Sequence, residues 1–193
     1  IEHLDRSIQG QADAKRALSV AIYNHYMAQA YSERNGTDLG RQHLLLIGPT
    51  GVGKTVMVKA MAAYLQVPIG HTSAAGLVEA GYKGASVESV VSAVLESAGG
   101  DVQLAERGIV FVDEIDKIHR SADGGRDVSG EGVQNALLTL MDGRISKGYD
   151  GYSHAAVDTG RLLFICSGAF VGLKELIAKR LGMSHRNIGF NRE

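Results

Sequence analysis

One stretch, residues 48–55 (Gly-Pro-Thr-Gly-Val-Gly-Lys-Thr), constrains this chain more than any other. It fits the pattern G-x-x-x-x-G-K-[ST] and follows directly on the apolar run at 43–48. Glycines allow the backbone to turn tightly, so that several N–H groups point at one anion, and a helix expected at 53–66 adds its positive N-terminal end. The pattern predicts a strand, a phosphate-binding loop and a helix in succession. A glycine-rich turn without a ligand is the alternative, which the flanking strand and helix patterns disfavour.

The side chains of this loop suit a nucleotide bound with a metal ion. Lys54 can reach the β- and γ-phosphates, and the hydroxyl of Thr55 can hold Mg²⁺. The sequence therefore predicts ATP and Mg²⁺ as the ligands. The expected nucleotide-binding residues of the loop are Gly48, Pro49, Thr50, Gly51, Val52, Gly53, Lys54, Thr55 and Val56.

A second stretch supports the same chemistry. The β-rich run at 107–112 ends in Asp113, Glu114, Ile115 and Asp116. A buried strand that delivers carboxylates at its C-terminal end is what a nucleotide site needs beside its phosphate loop. We expect Asp113 to hold the Mg²⁺ shell and Glu114 to polarise the attacking water. Alone, the run is equally compatible with a strand that ends in a solvated acidic turn.

Strand and helix patterns alternate along the chain. Because such alternation is typical of βαβ units, the sequence predicts an α/β fold with a parallel sheet flanked by helices. We expect further strands at 108–112 and 161–166 and a short extended segment at 67–71, with loops at 119–130 and 143–160. Helices are expected at 11–31, 53–66, 75–80, 86–98, 131–142 and 171–181.

The composition excludes several function classes. Hydrophobic residues make up 45% and charged residues 21% of the 193 residues, and the net charge is −1. These values are ordinary for a globular domain and give no basic stripe for nucleic acid. No apolar stretch is long enough for a bilayer. The single cysteine, Cys166, lies in an apolar run and is expected to be a core thiol in a reducing compartment. A start at Ile1 rather than Met suggests a piece of a longer protein.

Taken together, the motifs resemble those of the ClpX-type AAA+ unfoldases over nearly the whole chain. The blocks that carry the resemblance lie at 7–11, 20–26, 48–55, 79–84, 108–117, 126–134 and 163–170. The resemblance implies that residues 1–193 form the large α/β subdomain of an AAA+ P-loop NTPase. The family's small α-helical subdomain and N-terminal zinc module are not expected in this stretch.

The resemblance also assigns roles around the nucleotide. It places Ile8 in the adenine pocket, a role that is compatible with ordinary core packing. It places Ser167 at the first sensor, a polar side chain at the end of a strand facing the γ-phosphate. ClpX sequences usually carry Gly at that position, whereas the related unfoldase HslU carries Ser. The expected catalytic set is therefore Lys54, Asp113, Glu114 and Ser167.

Two loops are expected to contact a protein substrate in the central pore of a ring. The first contains Gly81, Tyr82, Lys83 and Gly84; a tyrosine that caps a helix-to-helix turn is the alternative. The family usually has Val where this chain has Lys83, which adds positive charge and could favour acidic substrate stretches. The second is the loop at 143–160, which looks shorter than in the family. Its Tyr149, Tyr152 and His154 could touch substrate or belong to a solvated loop.

Near the end of the chain, Ile188, Gly189 and Phe190 match the tripeptide by which these unfoldases dock on the ClpP peptidase. Two apolar side chains around a glycine suit insertion into a hydrophobic pocket on a partner. The start of a strand is the alternative for this tripeptide.

The resemblance implies an ATPase that unfolds protein substrates and threads them into a ClpP-type peptidase. Its expected partners are a homo-hexamer of itself, the peptidase, substrates and adaptors, without nucleic acid or membrane. The expected location is the cytoplasm, or the mitochondrial matrix or plastid stroma in a eukaryote. A stand-alone remodelling chaperone and a nucleotide-gated switch are the alternatives. The family's arginine finger and second sensor lie beyond this stretch, so we expect the stretch alone to bind nucleotide weakly and to hydrolyse it poorly.

Overall fold

A four-stranded parallel sheet forms the centre of the molecule. The computed structural model describes residues 2–78, 85–118 and 130–182. Two smaller two-stranded sheets accompany the central one: a parallel pair of β3 with β4, and an antiparallel hairpin of β6 with β7. The strands are β1 (Leu44–Ile47), β2 (Ile69–Ser73), β3 (Leu77–Val78), β4 (Ala85–Ser86), β5 (Ile109–Asp113), β6 (Ile145–Tyr149), β7 (His154–Asp158) and β8 (Leu163–Gly168). The central order is β1-β8-β5-β2, with every neighbouring pair parallel, so the predicted α/β class with a parallel sheet is confirmed.

Helices cover both faces of this sheet. They are α1 (Glu2–Asp5), α2 (Ala12–Asn35), α3 (Lys54–Leu65), α4 (Ser89–Ser97), α5 (Val102–Ala105), α6 (Glu131–Met141) and α7 (Leu173–Arg180). Short 3₁₀ turns follow three strands, at Ala74–Gly76, Ile115–Lys117 and Thr159–Arg161. Within the described ranges, no helix is long and apolar enough to cross a membrane.

Strand β5 shows how the sequence builds a core on each face. Val110 and Val112 pack with α4 and α6, whereas Ile109 and Phe111 pack with α1, α2 and α3. Successive side chains of a strand point to opposite faces, so a continuous apolar run buries both sides. Strand β8 follows the same rule, and all its residues are buried. The two central strands are thus buried on both faces, and Asp113 lies at the end of one of them, β5.

One glycine permits α4 to lie close to the sheet. A Cβ atom on Gly70, in β2, would lie 2.6 Å from a methyl carbon of Val94 and 2.9 Å from its backbone nitrogen. Any side chain at this position would therefore push α4 away from β2.

The prediction of a helix at 75–80 was wrong for its described part. Residues 74–76 form a 3₁₀ turn, and Leu77 and Val78 form β3, paired with Ala85 and Ser86. Leu77 is buried, so its apolar side chain follows from sheet packing and not from a helix face.

The loop expected at 143–160 is instead largely the β6–β7 hairpin. Its inward positions are occupied by Ser146 and Gly148, while Ile145 and Tyr149 are exposed. A Cβ on Gly148 would lie 3.1 Å from a methyl carbon of Leu95, so α4 packs directly on the strand backbone. Because the buried positions carry small or polar residues, the sequence lacks the apolar alternation that marks a strand.

Several predicted functional residues lie outside the described residues. They are the first pore-loop residues Gly81, Tyr82, Lys83 and Gly84 and the docking residues Ile188, Gly189 and Phe190. Most of the loop expected at 119–130 lies there too. These assignments stay predictions.

Candidate nucleotide-binding site

A cleft of about 340 Å³ lies at the carboxyl-terminal edge of the central sheet. Ligands of open parallel sheets bind at this edge, because loops and helix N-termini converge there. The cleft brings together most of the phosphate loop and both predicted carboxylates. Its described lining consists of Thr50, Gly51, Gly53, Lys54, Thr55, Val56, Asp113, Glu114, Asp116, Lys117, Gly168, Ala169 and Val171.

The phosphate loop has the backbone shape that its glycines allow. Gly51 and Gly53 have φ angles of 83° and 93°, in a region that disfavours other residues. α3 begins at Lys54, immediately after the loop, so the positive end of its dipole faces the cleft. The Lys54 ammonium donates to the carbonyls of Gly48 at 2.8 Å and Pro49 at 3.0 Å. A cation and a helix N-terminus therefore meet at one point, which suits a polyphosphate.

The Asp113 carboxylate accepts hydrogen bonds from three described residues. The Thr55 hydroxyl donates to its Oδ2 at 2.8 Å, and the Glu114 amide donates to its Oδ1 at 2.9 Å. The hydroxyl of Ser167, on the neighbouring strand β8, also donates to Oδ1. Strands β5 and β8 and helix α3 thus meet through one carboxylate.

These contacts favour the ionised form of Asp113. Partial burial raises the pKa of Asp113, but hydrogen bonds from Ser167, Thr55 and the Glu114 amide, together with the nearby His71, lower it by more. The net pKa lies below its ordinary value. Asp113 is accordingly a carboxylate over the whole neutral range.

Glu114 occupies an unusual backbone conformation. Its φ and ψ are 56° and 37°, in the left-handed region, where non-glycine residues are uncommon. The Ser73 hydroxyl, at the end of β2, donates to the Glu114 carboxylate at 2.8 Å. The turn directs this side chain into the cleft beside Asp113, as a water-polarising role requires.

The oxygen atoms in the cleft suit a hard divalent cation as ligands. Thr55 offers a hydroxyl oxygen and Asp113 a carboxylate, the oxygen ligands that Mg²⁺ takes in proteins alongside water and phosphate. Among residues 2–78, 85–118 and 130–182, no group of three or more His, Cys, Asp or Glu side chains could hold a metal by itself. A site of this kind depends on the nucleotide for the remaining ligands.

Ile8 lies outside the cleft lining but is linked to it. It is buried in the core on the α2 and α3 face. The nearby Gln11 donates its side-chain amide to the carbonyl of Val52 in the phosphate loop. The buried ammonium of Lys15 donates to Asp5 at 2.6 Å and to the Ile8 carbonyl at 2.5 Å. The segment that carries Ile8 is thereby fixed beside the phosphate loop, and its adenine role stays a prediction.

Sequence reasoning missed three polar residues that organise the cleft. Ser73 belongs to no motif, and Gln11 was noted only as part of the block at 7–11, because the partner of each lies about forty residues away along the chain. Asp116 was noted only as the end of an acidic run. Its carboxylate accepts from the amides of Ala169 at 3.3 Å and Phe170 at 3.1 Å, which joins the ends of β5 and β8.

Comparison with known proteins agrees with this geometry. Residues 41–191 match the model of the AAA domain (Cdc48 subfamily). The chain is similar to proteins named ATP-dependent Clp protease ATP-binding subunit ClpX, at 45% identity in Borrelia duttonii, 43% in Azotobacter vinelandii and 42% in Treponema denticola. These matches cover 98%, 98% and 100% of this chain and 46%, 47% and 48% of the relatives.

The chain thus spans about half the length of the curated relatives that it matches. The match to ClpX sequences confirms the resemblance inferred from the motifs, and the domain model covers most of the chain. By its sheet, its phosphate loop and this match, the chain belongs to the AAA domain family.

Proposed function

We propose that this chain is the nucleotide-hydrolysing part of an ATP-dependent protein unfoldase. The observation that carries the proposal is the joining of Thr55, Asp113 and Glu114 in one cleft behind the phosphate loop. The similarity to ClpX ATP-binding subunits supports the same activity.

Each residue then has a stated task in hydrolysis. The loop amides at 48–53 and the Lys54 ammonium hold the β- and γ-phosphates and stabilise charge as it develops on them. Thr55 and Asp113 hold Mg²⁺, which supplies further positive charge to the phosphates when bound. Glu114 orients the attacking water and accepts its proton, while Ser73 fixes the direction of that carboxylate.

Protein unfolding is the proposed use of this hydrolysis. A ring, by resemblance a homo-hexamer, would present Tyr82 and the β6–β7 hairpin to an extended polypeptide in its pore. On the hairpin, Tyr152 is 96% exposed and Tyr149 lies against His154, with ring centroids 5.0 Å apart. Exposed aromatic side chains contact polypeptide without reading its sequence, which suits a motor for many substrates.

Delivery to a ClpP-type peptidase completes the proposal. The names of the relatives support it, as does the tripeptide Ile188, Gly189 and Phe190. Adaptor proteins are proposed partners by the same resemblance, and the cytoplasm is the proposed location.

The test uses the full-length natural protein with a ClpP-type peptidase and a tagged, stably folded fluorescent substrate. We expect ATP-dependent loss of fluorescence. Glu114→Gln should abolish it while nucleotide binding persists, because the amide cannot accept the proton of water. Deletion of residues 188–190 should stop degradation but leave ATP hydrolysis intact.

Two other outcomes would assign the chain differently. Unfolding without degradation, unchanged by the deletion, would identify a stand-alone remodelling chaperone. Nucleotide binding without measurable hydrolysis in the full-length hexamer would identify a nucleotide-gated switch, an assignment that the intact Glu114 disfavours.

A further inference from the structure

Ser167, the residue predicted as the first sensor, lies against Asp113 inside the protein. It is completely buried, at 0% exposure, near the end of β8. Strand register pairs Cys166 with Val112, which places Ser167 directly beside Asp113 on the neighbouring strand. The cleft lining includes the next residue, Gly168, but its described lining does not include Ser167.

The one hydroxyl proton of Ser167 is already donated. It goes to Oδ1 of Asp113, on the side of the carboxylate away from Thr55. A hydroxyl has one proton to donate, so Ser167 cannot also donate to a phosphate without releasing Asp113.

Asp113 is therefore held from two sides. Thr55, which lines the cleft, donates to Oδ2, while the buried Ser167 and the amide of Glu114 donate to Oδ1. The two groups fix rotation of the carboxylate about its terminal bond, a torsion that is otherwise broad. The buried hydroxyl thereby sets the plane in which the carboxylate faces a cation.

We propose that Ser167 is a positioning residue that orients Asp113 toward the metal of the nucleotide complex, and not a sensor of the γ-phosphate. The proposal rests on the proposed function, since it needs a metal–nucleotide complex in the cleft. Hydrogen-bonded partners of metal-ligating side chains typically contribute 10-fold to 100-fold in metal affinity. Loss of the hydroxyl should consequently weaken nucleotide binding only where binding depends on the metal.

The test measures binding and not turnover. Fluorescent ADP and a slowly hydrolysed fluorescent ATP analogue are titrated into the full-length protein, once with Mg²⁺ and once with EDTA. The variants are Ser167→Ala, which removes the hydroxyl, and Ser167→Cys, which keeps its bulk but is a weak donor. Ser146→Ala, a buried serine of the remote hairpin, is the matched control. Thermal unfolding of each variant establishes that it is folded.

The expected result for both Ser167 variants is affinity about 10-fold or more weaker in Mg²⁺, equal for the two nucleotides, and unchanged in EDTA. A loss confined to the triphosphate would overturn the proposal in favour of a γ-phosphate sensor. An equal loss in EDTA, or no loss, would overturn it in favour of a packing role. Wild-type protein that binds neither nucleotide would overturn the proposed function itself, an outcome distinct from the other three.

Discussion

The nucleotide cleft and the β6–β7 hairpin are held together in opposite ways. In the cleft, Asp113 receives hydrogen bonds from residues 58 and 54 positions away in sequence. In the hairpin, Asp150 accepts from the amides of Tyr152 at 2.8 Å and Ser153 at 2.6 Å, only two and three positions away. One region is organised by the sheet, whereas the tip of the other is organised by its own turn.

This difference separates the two proposed tasks. A hydrolytic site needs groups fixed to within a fraction of an ångström, which rigid strands provide. A surface that grips many polypeptides needs exposed side chains on a local turn, which can vary without disturbing the sheet. We therefore expect changes in the cleft to alter nucleotide chemistry and changes in the hairpin to leave nucleotide affinity alone.

Lys54→Met should give the largest effect. It removes the cation over the phosphate loop while keeping most of the apolar stem, so nucleotide affinity should fall by about 100-fold or more. Titration of fluorescent ADP in Mg²⁺ measures this. Affinity within a few-fold of the wild type would show that the loop amides suffice and that the lysine is not part of the site.

Ser73→Ala should give a smaller effect on the same cleft. The lost hydrogen bond to Glu114 corresponds to about 1 kcal/mol, or roughly a 5-fold lower kcat for ATP hydrolysis. KM should stay unchanged, because Ser73 does not line the cleft. Steady-state kinetics of the full-length protein, with Ser146→Ala as control, decides the matter. An effect on KM alone would contradict the positioning role of Ser73.

Acid should lower the stability of the fold through two buried histidines, His25 and His43. Burial lowers the pKa of His25, and the nearby His43 lowers it further; burial also lowers the pKa of His43. Buried ring nitrogens on both residues have no hydrogen-bond partner in the described structure. Because the unfolded chain binds these protons at higher pH than the folded chain, the free energy of unfolding should fall as pH drops below about 6.5.

Urea unfolding at pH 7.5 and pH 5.5 measures this dependence. His25→Leu should flatten it, since it removes one of the buried groups. An unfolding free energy that does not change between the two pH values would contradict the prediction.

Asp150→Ala should give the smallest effect on nucleotide chemistry. The change removes the acceptor for the Tyr152 and Ser153 amides, so hydrogen exchange should accelerate at the hairpin tip. Affinity for ADP should equal that of the wild type. A clear loss of affinity for ADP would contradict the expectation that changes in the hairpin leave nucleotide binding unaltered.

The sequence predicted the parts of the cleft that lie within short motifs. Lys54 and Thr55 belong to one loop, and Asp113 and Glu114 belong to one strand end, so spacing alone identified them. Ser73 escaped because its relation to Glu114 arises from strand pairing, with Ser73 opposite Asp113 in the register of β2 and β5. Such register depends on how both strands pack, so it cannot be predicted from the sequence of either strand alone.

The β6–β7 hairpin was not predicted, for a different reason. A strand is recognised by alternating apolar positions, and β6 has Ser146 and Gly148 where apolar residues would be expected. A Cβ on Gly148 would lie 3.1 Å from a methyl carbon of Leu95 in α4, which leaves little room for a side chain at that position. The residue at this strand position is therefore constrained by a neighbouring helix, and a search for local alternation does not detect such a constraint.

At Glu114, the left-handed backbone lowers the stability of the fold, while the side chain is proposed to serve hydrolysis. A glycine would adopt φ 56° with little strain, whereas a glutamate there costs about 1–2 kcal/mol. If Glu114 polarises water as proposed, the protein holds this group at a permanent conformational cost, and replacing it with glycine should give a more stable but inactive protein. Glu114→Gly should keep or raise the melting temperature while hydrolysis is lost, and a lower melting temperature would show that the Ser73 contact outweighs the strain.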